Sequence, residues 1–169
     1  MPAEVWGAEI QIDWLITKHF TFSGAYTWLD SEYESTGEIF SGSNDLEYAP
    51  DNAFTGTLSY RHPLRSELDW YAEIDGSWAD ERYADQANTV KFDSCWLSNL
   101  RLGLASERGD IVGYINNLVD DDTIKTGFTS IDPRYIAFDP ATFFGAVLPN
   151  GARLLQPDER SFGARISTT

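Results

Sequence analysis

Between Ser98 and Leu104 the chain alternates strictly, with Leu100, Leu102 and Leu104 on one side and Asn99, Arg101 and Gly103 on the other. A period of two marks a strand with unlike faces. A polar turn, Ser106-Glu107-Arg108-Gly109-Asp110, leads into a second apolar-rich run from Ile111 to Leu118, so the segment reads as an antiparallel hairpin. The polarity of its faces is the constraint. An arginine and an asparagine in mid-strand demand water or polar partners on their side. The leucine side must meet a core or lipid.

The same pattern recurs along the chain. From Val5 to Leu15, Trp6, Ala8, Ile10, Ile12 and Trp14 oppose Gly7, Glu9, Gln11 and Asp13. From Phe20 to about Tyr33, Phe20, Phe22, Gly24, Tyr26 and Trp28 oppose Thr21, Ser23, Ala25 and Thr27. After Pro50 and Asp51, the residues Phe54, Gly56, Leu58 and Tyr60 oppose Thr55, Thr57 and Ser59. Leu68, Trp70, Ala72, Ile74, Gly76 and Trp78 then oppose Asp69, Tyr71, Glu73, Asp75 and Ser77. A last strand, Arg160 to Thr168, sets Phe162, Ala164 and Ile166 against Gly163, Arg165 and Ser167. Seven strands are predicted.

The connections alternate in length. Those at 17–19, 61–65 and 106–110 are short, and those at 34–49, 80–92 and 119–158 are long, rich in Ser, Gly, Asp, Glu or Pro. Up-and-down membrane barrels have this asymmetry, with short periplasmic turns and longer extracellular loops. Trp6 and Trp14, Phe20 and Trp28, and Trp70 and Trp78 are spaced by eight residues on the apolar face. Eight residues span roughly 26 Å along a strand. At a tilt of about 40–45° that becomes roughly 19–20 Å of height, close to the ~25 Å apolar band between aromatic girdles. The fold class expected is therefore all-β, an antiparallel up-and-down transmembrane β-barrel. One rival is a soluble carbohydrate-binding β-sandwich with tryptophans in its core or exposed for sugar. Another is a small passive or structural barrel with an eighth strand near Ala141 to Leu148, where Phe143, Phe144 and Val147 lack clean alternation.

Two stretches resemble a known family. The run GYINNLVDDD, with Asn117, Leu118, Val119 and Asp120, is similar to the penultimate hairpin of the TonB-dependent outer-membrane receptors. The closing segment ERSFGARIS, Glu159 to Ser167, resembles their final strand. The resemblance implies the last seven strands of a barrel of about 22 strands. Seven strands do not close by themselves, because bacterial single-chain barrels use an even number. It further implies an N-terminal plug and earlier strands absent from this sequence, and coupling to the inner-membrane TonB complex through that absent N-terminus. The implied function is active uptake across the Gram-negative outer membrane of a scarce large solute, a ferric siderophore, cobalamin or oligosaccharide. The start, MPAEVWGAEI, has neither the basic opening nor the apolar run of a secretory signal, which predicts either a soluble cytoplasmic protein or an exported chain whose signal lies upstream of Met1. The chain ends Ile166-Ser167-Thr168-Thr169 where the family usually ends in an aromatic, which predicts a clipped end or less efficient assembly.

A formal net charge of −15 excludes nucleic acid as a partner, since phosphate binding needs a basic patch. A single cysteine, Cys95, forms no internal disulfide and reads as packing. His19 and His62 fall in the proposed short turns, and no nucleophile elbow or Ser-His-Asp set is present. An enzyme is not expected, nor a cofactor. The candidate lumen residues are Glu9, Gln11, Asp13, Asp69, Glu73, Asp75, Asn99, Arg101 and Arg165. They are expected to form a hydrated wall or to meet the plug, with Asp75 offered as the partner of Arg101. Asp120, Asp121 and Asp122 could supply oxygen ligands to calcium, but they lack the spacing and glycine of an EF-hand loop, so no metal is expected. Acidic outer loops suit divalent bridges to lipopolysaccharide, and the apolar faces suit outer-membrane lipid.

Overall fold

The structure, a computed structural model, describes residues 2–34, 44–131, 137–138, 146–147, 150–155 and 157–168. Among the described residues, thirteen strands occur in chain order. They are β1 (Ala3–Leu15), β2 (Phe20–Tyr33), β3 (Asn52–Arg65), β4 (Leu68–Ala79), β5 (Arg82–Tyr83), β6 (Lys91–Phe92), β7 (Cys95–Ser106) and β8 (Gly109–Asn116), followed by β9 (Gly127–Ile131), β10 (Ala137–Phe138), β11 (Ala146–Val147), β12 (Asn150–Leu154) and β13 (Ser161–Thr168).

Seven of them make one antiparallel sheet in the order β1-β2-β3-β4-β7-β8-β13. Every long strand lies beside its predecessor in the meander, which makes the topology up-and-down. The edges β1 and β13 do not pair with each other, and the sheet is open. A sandwich would divide these strands between two packed layers; here they form one.

Cross-strand register decides what each face carries, because a slip of one residue would exchange the faces. The pairs Trp14↔Phe22, Phe22↔Leu58, Leu58↔Ile74, Ile74↔Leu100, Leu100↔Ile115 and Ile115↔Phe162 run across all seven strands. One residue away, Asp13↔Ser23, Ser23↔Thr57, Thr57↔Asp75 and Asp75↔Asn99 continue the polar face. Among the described residues nothing packs over the apolar face. Trp6, Ile10, Trp14, Phe162 and Ile166 are 65%, 60%, 58%, 83% and 71% exposed. Among the described residues only Ala84, Phe92, Cys95 and Val112 form buried apolar positions. A water-soluble domain of this size buries far more.

Several expectations need correction. The segment Arg61 to Arg65 is not a turn but the end of β3, paired through Pro63↔Asp69 and Arg65↔Leu68 with a register irregularity between Pro63 and Arg65. The reason is local. Arg61 N–H reaches His19 O at 2.9 Å, and Pro63 faces the same way two residues on, past the end of β2. Its missing N–H therefore deserts no carbonyl. The true turn is Ser66-Glu67, and His62 lies in the strand. The loop 80–92 contains the β5–β6 hairpin, and 119–158 contains the β9–β12 and β10–β11 pairs rather than irregular chain alone. Of the candidate eighth strand, residues 141–145 and 148 lie outside the described residues. Ala146 and Val147 pair with Phe138 and Ala137, away from the main sheet.

Candidate functional site

The register sets all nine candidate lumen residues on one face. That face is hollowed. Gln11, Ser23, Thr57, Asp75 and Asn99, from five successive strands, line a single cavity of about 400 Å³. Nearer the short turns, Ser59, Arg61, Tyr71, Glu73, Asp110 and Arg165 line a second of about 620 Å³. Side chains of such distant strands share a hollow only if the polar face is concave.

Arg101 stands at its centre. On the flat ladder it faces Glu73 in β4, and Asp75 is the diagonal neighbour. Its guanidinium donates to Glu73 at 3.0 Å and also to Asp75. The second partner is the one proposed from sequence; the first completes a three-residue cluster. Asn99 Nδ2 donates to the other Asp75 oxygen at 2.6 Å, and Ser59 Oγ donates to Glu73 at 3.3 Å. Arg61 Nε lies 3.2 Å from Asp69. Glu9, Gln11 and Asp13 lie on the edge strand β1 and make no salt bridge among the described residues.

Tyr71 and Tyr114 belong to the same face and were not singled out in the sequence. Each side chain lies over the cross-strand glycine, Gly103 and Gly163, where an added Cβ would come 2.5 Å from Tyr71 Cζ and 2.5 Å from the Tyr114 hydroxyl oxygen. The signal was available as glycine directly opposite tyrosine, but only once the register is known.

At the long-loop end the connections are tied to one another. Asn44 Nδ2 donates to Gln86 O at 2.9 Å, Asp45 N–H to Asn88 Oδ1 at 2.8 Å, and Tyr48 N–H to Tyr83 O at 2.8 Å. The Tyr48 hydroxyl reaches Gly127 O, and the Arg82 guanidinium reaches Lys125 O while lying 5.8 Å from the centre of the Phe92 ring. Asp85 closes the β5–β6 hairpin by accepting from Thr89 N–H at 2.8 Å and Val90 N–H at 3.2 Å.

The third long connection leaves β8 through Asn117, which is 2% exposed and left-handed at φ 52°. Its Nδ2 donates to Asp121 O and Asp158 O at 3.0 and 2.9 Å, and its Oδ1 accepts from Asp121 N–H at 3.0 Å. Asparagine suits both demands, a left-handed backbone and a two-sided amide. The three aspartates that follow do not converge. Asp120 pairs with Arg160 at 3.6 Å, and Asp121 accepts from Trp96 N–H and Thr123 N–H. No group of three His, Cys, Asp or Glu side chains among the described residues could hold a metal ion.

The electrostatics of this rim are uneven. Partial burial pulls the Asp121 carboxyl upward, but the hydrogen bonds from Thr123 and Trp96 and the charge of Lys125 outweigh it and leave it below the usual carboxylate range. Asp51 is held above that range by partial burial and by repulsion from Asp45, Asp80, Asp30 and Glu81.

The sheet compares closely with solved transport receptors. It resembles the ferric yersiniabactin uptake receptor FyuA of Yersinia pestis at a TM-score of 0.74 and 16% identity, over 96% of this chain and 23% of that one. It resembles the siderophore receptor PiuA of Acinetobacter baumannii at 0.66 and 20% identity, over 97% of this chain and 21% of that one. It resembles the ferric-catecholate import receptor Fiu of Escherichia coli K12 at 0.63 and 20% identity, over 95% of this chain and 20% of that one. The chain thus spans less than a quarter of the length of these proteins. At such identities the likeness speaks for the fold. The family model "TonB dependent receptor-like, beta-barrel" matches residues 2–118, from β1 through β8 and across the arginine cluster. The chain belongs to the TonB-dependent receptor-like β-barrel family.

Proposed function

We propose that this chain is a stretch of the wall of an active transporter in the Gram-negative outer membrane, taking up a ferric siderophore. The observation that carries the reading is the pair of unlike faces, one continuously apolar and uncovered, the other polar and concave. The apolar face meets hydrocarbon, since a membrane-crossing sheet satisfies its backbone between strands and presents apolar side chains to lipid. The polar face, with Glu9, Gln11, Asp13, Asp69, Glu73, Asp75, Asn99, Arg101 and Arg165, lines a lumen occupied by a plug domain. The long loops stand outside the cell, meet lipopolysaccharide and form the solute's entrance. The inner-membrane TonB complex drives release. The siderophore is preferred over cobalamin or an oligosaccharide because the similar receptors carry siderophore names.

The test uses the intact protein that bears this chain. It should fractionate with outer membranes, run faster on gels unheated than boiled, and support TonB-dependent uptake of radioiron from a siderophore. Recovery as a folded monomer without detergent would sink the membrane reading. Normal iron uptake in a deletion strain, with cobalamin or oligosaccharide uptake lost, would replace the solute and leave the wall standing.

A further inference from the structure

The sequence contains only two histidines, 43 residues apart, and the fold brings them together. His19 closes the turn before β2, and His62 lies on the apolar face near the end of β3. Their rings stack with centroids 4.6 Å apart and planes 23° apart. Each uses Nδ1 against a backbone carbonyl, His19 against Arg61 O at 2.9 Å and His62 against Pro63 O at 2.8 Å. A carbonyl only accepts, so the neutral ring must carry its proton on Nδ1 in both cases. Both Nε2 atoms are then left with bare lone pairs. An imidazole with Nδ1–H held by a carbonyl and Nε2 unprotonated has the tautomer and second-shell support of a metal-ligating histidine. Two such rings stand side by side, with Arg61 turned to the opposite face, and offer two imidazole donors from neighbouring strands' ends.

We propose that His19 and His62 together bind one borderline divalent transition ion, Cu²⁺ most tightly and Zn²⁺ or Ni²⁺ less so, through their Nε2 atoms with water completing the coordination. Imidazole nitrogens favour these metals, and copper stands at the top of the divalent series. Calcium and magnesium, which take oxygen ligands, are excluded. The pair lies at the short-turn end, beside the aromatic group of Phe20, Tyr60 and Trp70, and is separate from the polar face and from the long loops. The proposal does not depend on which solute is carried.

The experiment titrates CuCl₂ or ZnCl₂ into the intact protein, folded in detergent, and compares it with His19→Gln, His62→Gln and the double variant. Retention of the unheated gel mobility shows that each variant is folded. The wild type should bind one more copper equivalent than the double variant, with an electron-paramagnetic-resonance signal split by two nitrogens. Either single substitution should weaken this site at least about tenfold, the low end of what losing metal-site support costs. Isotherms that coincide for wild type and double variant would overturn the proposal. So would a signal that keeps two nitrogens when one histidine is gone.

Discussion

Arg101 is surrounded by more negative charge than it can neutralise. Glu73 and Asp75 sit two residues apart on β4, and both turn to the one guanidinium. These side chains are between about a quarter and two-fifths exposed, with Arg101 at 40%, so water screens the pair and the coupling is modest. A double-mutant cycle between Arg101→Ala and Asp75→Ala, read by denaturant unfolding of the folded protein, should give a coupling of about 1 kcal/mol. Arg101→Ala alone should cost more than Asp75→Asn alone, because it leaves two neighbouring carboxylates without a cation. Asn117 is a sharper case. Replacing it with Ala removes three buried hydrogen bonds at a left-handed residue, which predicts a loss of about 2–4 kcal/mol. Asn117→Asp keeps the backbone preference and the acceptor but sets a buried carboxylate oxygen against the carbonyls of Asp121 and Asp158, so it should cost at least as much as Ala. Proteolysis within 119–158 is the measurement that ranks them. Had the asparagine been merely a surface residue after a strand, all three proteins would be cut alike.

The strands were legible in the sequence because a strand and its side chains share one period, so writing out alternate residues is already a drawing of the two faces. The turn after β3 was misread because Arg61-His62-Pro63-Leu64-Arg65 has the composition of a turn. What keeps it extended is the partner on the β4 side, which composition does not show. The nine polar-face positions followed from the same alternation, and the Arg101–Asp75 contact from adjacency of the strands. Glu73 was assigned to the face but not to the contact. The glycines opposite Tyr71 and Tyr114 depended on pairing across strands. They predict that Gly103→Val, which drives a side chain into the Tyr71 ring, destabilises the β4–β7 pair by about 1–3 kcal/mol. Gly103→Val combined with Tyr71→Ala should recover part of that loss. Gly109 has a different role. At φ 145° its missing Cβ would sit 2.1 Å from Ser167 O, so Gly109→Ala should loosen β13 from β8, seen as faster amide exchange in β13. At the loop ends the sign of pH dependence is set by the two aspartates. The Asp51 carboxyl is raised, so its contribution to stability is present below the ordinary value of about 4 and is lost as pH rises through its folded value. Asp51→Asn should therefore raise the melting temperature at pH 7, with the advantage fading toward pH 4. The lowered Asp121 acts in the opposite sense, contributing above the ordinary value and losing that contribution as pH falls through its folded value.

Across the whole molecule, all six tryptophans fall on the apolar face. They gather toward its two ends: Trp6, Trp28, Trp78 and Trp96 near the long loops, Trp14 and Trp70 near the short turns. Trp78 and Trp96 are 6.2 Å apart between ring centres, and Trp70 is 4.8 Å from Tyr60. In bilayers, lipids brominated near the headgroup should quench this fluorescence more than lipids brominated at the chain ends, and aqueous acrylamide should quench it weakly. Stronger quenching by acrylamide than by either lipid would mean that the apolar face is turned to water. The ties among the long loops have a further consequence. Several of their acceptors, Gln86 O, Tyr83 O, Gly127 O and Lys125 O, are main-chain carbonyls. A carbonyl is the same whichever side chain sits beside it. Residues 83 and 86 can therefore drift in identity while the rim keeps its shape, provided Asn44, Tyr48 and Arg82 persist; Gly127 is fixed, because an added Cβ would lie 2.6 Å from Arg153 O, and Lys125 is fixed by its charge beside Asp121. Such a rim separates heritable change in the side chains it displays from change in how it is built.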